Sequence, residues 1–368
     1  MHEAQHDPQL VAQIEERRPL TYAAGADPAL DRPAHVRAAS SLVRLGRHMV
    51  AIQDDAHFLA LIDPATWAVT AFTLPAGPDG QRQFDDLRGT RALKLDLEAA
   101  VVVPGPGGER LLAFGSGSTP ERERILIVEQ VTASEPAIRL VAASALYARL
   151  RNPAFTGSEL NLEGAVLLGT TLRLFQRGNG APRGALQPID ATCDLHWPAL
   201  AAYLANPSVV PPPELTAITR YDLGRLAGAR LTFTDATLAP GGILYCATAE
   251  DSPDVTRDGP VLGSAIGLLP FAGRPRYAPL TAPDGQVLPI KVEGVLLDAD
   301  DPTRVYLVAD ADDPLTPSEL LVTRLLGPWF PLRGRVFERC APKPRIPHPP
   351  TPYKGRVFRP RDQGVKGF

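Results

Sequence analysis

An oxygen-bearing residue, a small or polar residue and an apolar run recur in that order five times along this 368-residue chain. The openings are Ser40-Ser41-Leu42-Val43, Glu98-Ala99-Ala100-Val101, Glu163-Gly164-Ala165-Val166, Thr234-Asp235-Ala236-Thr237 and Glu293-Gly294-Val295-Leu296. Successive openings lie 58, 65, 71 and 59 residues apart. That is too long for a solenoid repeat but suits one four-stranded blade with generous loops. After a turn, each is followed by a second apolar run that ends in a polar cluster: Gln53-Asp54-Asp55, Gly115-Ser116-Gly117-Ser118, Gln176-Arg177-Gly178-Asn179, Glu250-Asp251 and Asp310-Ala311-Asp312-Asp313. Antiparallel pairing puts the start of a first strand beside the end of the second, so both sets converge on one face of a ring. The expected fold class is all-β, a five-bladed β-propeller in one domain. Six blades are the alternative, and would need a further repeat built from both chain ends.

Glycine and proline together make 70 residues and are spread between the apolar runs, as many turns between short strands require. Residues 1–16 read as a polar leader, with helix-compatible spacing in Gln9-Leu10-Val11-Ala12-Gln13-Ile14. Arg18-Pro19-Leu20-Thr21-Tyr22 suits an outer strand that closes the last blade. The propeller is expected over 17–340, and 341–368 forms a Pro-rich basic tail. Two short helices are expected in the connections, at Ala145–Leu150 and Trp197–Leu204.

The formal charge of −3 hides an asymmetry. Residues 331–368 carry ten Lys or Arg against Glu338 and Asp362, a surplus of eight, so the rest of the chain carries −11. The tail could dock a protein partner, as could a ring face; without stacking periodicity or a recognisable nucleic-acid module it argues against nucleic acid. The first twenty residues are polar and mixed in charge, so neither a secretory signal nor a membrane anchor is expected and the location reads as cytoplasmic. Cys193, Cys246 and Cys340 are widely spaced and read as ordinary thiols. The histidines show no HExxH pattern, which speaks against zinc.

If the repeats radiate from one axis, Ser40, Glu98, Glu163, Thr234 and Glu293 ring the channel mouth. Three carboxylates across a narrow space cannot all stay ionised without compensation, and a cation is the simplest one. Hard oxygen donors favour calcium. The other reading is that each Glu accepts backbone N–H groups of the next blade.

Ser, Glu, Glu, Thr and Glu opening successive innermost strands resembles the five-bladed propeller of the soluble calcium-activated nucleotidases (apyrases). That resemblance implies an axial calcium held by these hydroxyls and carboxylates. Over most of 36–327 the chain is also similar to an uncharacterised family of bacterial propeller proteins in the style of phytase-like esterase domains. The residues that carry this are Ala39-Ser40-Ser41-Leu42 with Asp54-Asp55, Phe114–Ser118, Asn161-Leu162-Glu163-Gly164-Ala165, Gln176–Asn179, Phe233-Thr234-Asp235-Ala236, Ala249-Glu250-Asp251 and Lys291–Val295. It implies a fold and no activity.

Two functions of different class follow. In the first, the chain is a non-catalytic propeller with an axial divalent, calcium-like cation and a polar funnel for a ligand or partner. In the second, it is a calcium-dependent phosphoric-ester hydrolase acting on a nucleotide or other small phosphate. There Arg177 binds the phosphate, and Asp310 or Asp54 orients the attacking water.

Overall fold

Short runs rich in Val, Ile, Leu and Ala, punctuated by glycine turns, fold into antiparallel meanders. The computed structural model describes residues 1–105, 107–129, 136–250 and 259–331. Near the N-terminus lie β1 (His2–Glu3), β2 (Gln5–His6) and β3 (Val11–Pro19). A first four-stranded sheet comprises β4 (Ala39–Leu45), β5 (His48–Gln53), β6 (Phe58–Ile62) and β7 (Val69–Thr73). A second comprises β8 (Leu97–Gly105), β9 (Gly108–Gly115), β10 (Arg124–Glu129) and β11 (Ala137–Ala142). The third, β12 (Leu162–Leu168), β13 (Thr171–Gln176), β14 (Asp190–His196) and β15 (Thr216–Asp222), gains β1 in parallel on its outer edge. Then come β16 (Arg225–Leu226), the meander β17 (Ala229–Ala239), β18 (Gly242–Glu250), β19 (Val261–Pro270) and β20 (Arg276–Thr281), and finally β21 (Lys291–Leu297), β22 (Arg304–Asp310) and β23 (Glu319–Leu326). These last strands join through β3 into one curled ten-stranded sheet.

The tight hairpins have a local cause. Gly46 and Gly169 adopt φ of +57° and +63° in two-residue loops, a left-handed conformation that glycine takes without steric cost and that matches strand twist. The expected helices form as α1 (Ser144–Leu150) and α3 (Trp197–Ala205), with a single turn α2 (Pro153–Thr156) between them.

The first strands of the meanders pack side by side in a closed cycle, β4 on β8, β8 on β12, β12 on β17, β17 on β21 and β21 back on β4. The buried apolar residues follow the same cycle. Ile52 and Leu59 meet Leu97 and Leu111; Leu112 and Phe114 meet Leu172 and Leu174; Phe175 meets Phe233 and Tyr245; Leu244 and Ile266 meet Val295 and Leu307; Tyr306 and Val308 meet Leu42 and Met49. Covered on both faces, strands such as β6 are buried throughout and lose the alternating pattern of a half-exposed sheet. The arrangement is all-β and propeller-like.

The N-terminal segment differs from its local periodicity. Residues 11–14 belong to β3, which pairs antiparallel with β23 from Val11↔Leu326 to Pro19↔Glu319 and buries Ala12 and Ile14. Pairing outweighs a helical pattern too short to nucleate alone. The closing strand therefore starts at Val11 instead of Arg18 and crosses the expected boundary at residue 16. The tail from 341, Asp251 and Cys340 lie outside the described residues. No helix among those described is long and apolar enough to cross a membrane.

Candidate metal centre and adjoining groove

Each innermost strand slips register at the same place: between Ala39 and Ser41, Leu97 and Ala99, Leu162 and Gly164, Phe233 and Asp235, and Val292 and Gly294. The skipped residues are Ser40, Glu98, Glu163, Thr234 and Glu293, the five singled out by the recurrence. A β-bulge leaves its extra residue out of the ladder and re-aims its side chain. The local pattern is thus a bulge repeated around the cycle.

The five do not share one role. Ser40 Oγ donates to the Leu97 carbonyl at 2.5 Å, and Thr234 Oγ1 donates to the Val292 carbonyl at 2.7 Å. Each hydroxyl ties its own innermost strand to the next. Glu98, Glu163 and Glu293, together with Ser40, line a polar chamber of about 70 Å³; Thr234 does not. One residue further along the strand, Asp235 closes the space between the strands. Its Oδ2 accepts from Ser41 Oγ at 3.1 Å, Val295 N at 3.0 Å and Leu42 N at 3.4 Å, joining three of the inner strands. Gly164 and Gly294 leave room there: a Cβ on Gly294 would stand 2.9 Å from Leu42 N and 2.5 Å from Val308 Cγ2.

Inside the chamber most carboxylates already have cationic partners. Arg177 Nη1 lies 3.2 Å from Glu163 and 3.7 Å from Glu293, while Nη2 lies 2.9 Å from Glu250. Lys291 Nζ bridges Glu293 at 3.2 Å and Asp312 at 2.7 Å. Arg177 is 4 % exposed, and its guanidinium is held among these carboxylates.

A second group gathers at Asp54, Asp96 and Glu98, whose ligand oxygens all lie within 4.8 Å of one another, a spacing that could coordinate a divalent metal. Among the described residues this is the one such group, so Glu98 joins it while Glu163 and Glu293 stay with Arg177. Asp96 Oδ2 accepts from Ser116 Oγ and pairs with Arg122 at 2.9 Å. Lys94 Nζ sits 2.7 Å from Asp54 Oδ2 and 2.6 Å from Asp96 Oδ1. Asp54 Oδ1 and Glu163 Oε2 are buried with no hydrogen-bond donor from the protein, and Glu163 is 2 % exposed, so both oxygens could serve as ligands of an ion.

The electrostatics agree. Burial pushes the Glu98 carboxyl well up, and the charges of Asp54, Asp96 and Glu163 push it further. Burial likewise raises Glu163, Glu293 and Asp310, against the pull of Arg177 or Lys291. Asp96 stays low because Lys94 and Arg122 outweigh its burial. The chamber walls carry seven acidic and five basic residues, two positive charges short of balance. A divalent cation or bound protons would reduce that deficit.

Seventy cubic ångströms holds an ion and one or two waters at ~30 Å³ each. A second cavity of about 440 Å³ adjoins it and shares Ala38, Asp54, Arg91, Lys94, Asp310 and Asp312 in its walls. That is within the ~300–1,000 Å³ typical of small-molecule sites. Its far side is Asp55, Asp85, Asp86 and Asp313, with the exposed Leu87 and Leu315 at the rim. Asp54 and Asp310 thus stand where the chamber meets an open groove.

Lys94 and Asp96 went unremarked in the sequence. Their every-second-residue spacing with Glu98 was visible, but the three side chains meet through a left-handed turn at Asp96, φ +55°, followed by the bulge at Glu98, which an extended pattern does not foretell.

Several solved structures resemble the chain at low similarity. They include the PQQ-bound aldose sugar dehydrogenase of Streptomyces coelicolor (11 % identity, 87 % of this chain and 99 % of that one, TM-score 0.39). The calcium-binding protein regucalcin of Agrobacterium tumefaciens is 13 % identical over 90 % of this chain and 99 % of its own, with a TM-score of 0.36. A calcium structure of a Trichoderma reesei carbohydrate-active enzyme of family AA12 is 11 % identical over 87 % and 96 %, with a TM-score of 0.34. No curated protein matches the sequence. Residues 35–325 match a family of unknown function, DUF6929, and with most of its length inside that match the chain belongs to this family.

Proposed function

We propose that the protein is a five-bladed propeller that holds an axial divalent cation, calcium by its all-oxygen donors, and hydrolyses a small phosphoric ester where chamber meets groove. The observation that carries this reading is the Asp54/Asp96/Glu98 cluster in the wall of a space the size of an ion, with Asp54 also lining the adjoining space the size of a substrate. Asp54, Asp96 and Glu98 hold the ion, with Glu163 Oε2 facing the same chamber. A calcium ion held there would polarise a phosphoryl oxygen for attack by water, which forms the new P–O bond as the ester P–O bond breaks. Arg91 and Lys94, which line both cavities, neutralise the phosphoryl group. Asp310, whose carboxyl burial keeps protonated above the usual range, delivers a proton to the leaving oxygen. Arg177 fixes Glu163 and Glu293 without touching substrate.

The acidic far wall selects among phosphates. Asp55 and Asp85 share Arg37, Asp85 also meets Arg88, and Asp86 pairs with Arg91 until that arginine turns to the phosphoryl group, so the wall stays net acidic and would disfavour a triphosphate chain, whereas the hydroxyl or amino groups of a monoester alcohol would meet acceptors there. With calcium, purified protein should release phosphate from small monoesters faster than from nucleoside triphosphates. Asp310→Asn should lower kcat by roughly 10²-fold or more, the scale of general acid catalysis. A broad phosphoester screen with no turnover above a metal-only blank would overturn the catalytic reading and leave the ring as a ligand-binding scaffold.

A further inference from the structure

We infer that Lys94 is an internal stand-in for the divalent cation: its ammonium and the ion compete for the same carboxylate oxygens, and the ion enters by driving Lys94 out toward the groove. The inference rests on the metal reading above and adds a determinant of the site's affinity.

Lys94 Nζ makes 2.6–2.7 Å contacts to Asp96 Oδ1 and Asp54 Oδ2, two of the three carboxylates in the cluster. A divalent ion bound by all three residues would stand against the same oxygens, and two cations that close repel strongly in a site shielded from water. One of them must leave. Asp96 Oδ2 remains held by Ser116 and Arg122 whichever cation is present, so its carboxylate keeps its place during the exchange. Lys94 has somewhere to go, because its side chain lines both the chamber and the groove, as Arg91 does. Arg177 and Lys291 do the equivalent work permanently on the Glu163 and Glu293 side. The ring is therefore neutralised well enough to fold on its own cations, and the ion is bound at a cost set by one lysine.

Calcium titrations by calorimetry on wild type, Lys94→Met and Lys94→Arg test this, with melting measured in chelator and in calcium. Lys94→Met, close in shape and uncharged, should bind calcium at least tenfold more tightly. Its melting temperature should fall in chelator and recover in calcium, whereas wild type should melt similarly in chelator and in low calcium. Lys94→Arg should weaken binding, since a two-pronged guanidinium is harder to displace from paired carboxylates. It also serves as the decisive variant should Lys94→Met fail to fold. Calcium affinity equal to wild type in the variants that fold would overturn the competition while leaving the metal reading intact. Binding by none of the three proteins would overturn both.

Discussion

Asp235 and His57 show how single buried groups constrain this molecule. Asp235 accepts from two backbone N–H groups and one hydroxyl on two neighbouring inner strands. Removing it would leave buried donors unsatisfied at ~1–3 kcal/mol each. Asp235→Ala should therefore lower stability by about 3 kcal/mol or more in urea unfolding, and Asp235→Asn, which keeps one acceptor oxygen, by less. His57 is packed 4.5 Å from the Phe84 ring with Nδ1 2.9 Å from the Pro75 carbonyl, and burial pushes its pKa down to about 4. A depressed histidine favours the native state while neutral. Its contribution is complete above the unfolded value near 6.5 and is lost as pH falls toward 4. The lost stability is on the order of 3 kcal/mol, and His57→Gln should flatten stability against pH between about 6.5 and 4. Neither residue advertised itself in sequence: Asp235 read as the companion of a ligand and His57 as one histidine among seven.

The unit that mattered at the scale of elements is the bulged inner strand. The fivefold recurrence was legible because each bulge carries an oxygen-bearing side chain followed by a small or axis-filling residue, and Ser41, Ala99, Gly164, Asp235 and Gly294 meet that second need. Roles within the recurrence were not legible, because they depend on partners brought from other strands: Ser40 and Thr234 meet carbonyls of the next strand, and Glu163 meets Arg177. Glu98 could not be assigned to Asp54 from spacing alone, since Asp54 comes from the preceding meander. Close approach at the second position gives a sharp test. In Gly294→Ala the new methyl would press on Leu42 N and Val308 Cγ2, and overpacking of this kind costs ~1–3 kcal/mol. Gly285→Ala, at a turn with nothing within 4 Å, should cost less despite its φ of +84°. Denaturant midpoints of the two variants compare them directly.

For the whole molecule, the closed cycle makes a bound ion report on global stability. Calcium at one hundred times its dissociation constant should add ~2.7 kcal/mol, rising with the logarithm of concentration. Asp96→Asn should abolish most of that response in thermal melts. The same cycle is closed by β3 on β23, where Arg17 pairs with Glu319 across 302 residues of chain. While the protein is being synthesised, β3 must therefore wait for its partner. At a translation rate of ~5–20 residues per second the wait is roughly 15–60 s. Until β20 is made, Ala12 and Ile14 stand on a strand with no partner; from then until β23 follows, β3 has only its short parallel pairing of Ala12 and Gln13 with Leu280 and Thr281 and its other edge is open. Ribosome stalling between β20 and β23 would expose just this intermediate, so the last meander is where a premature stop should convert a soluble product into one that needs a chaperone.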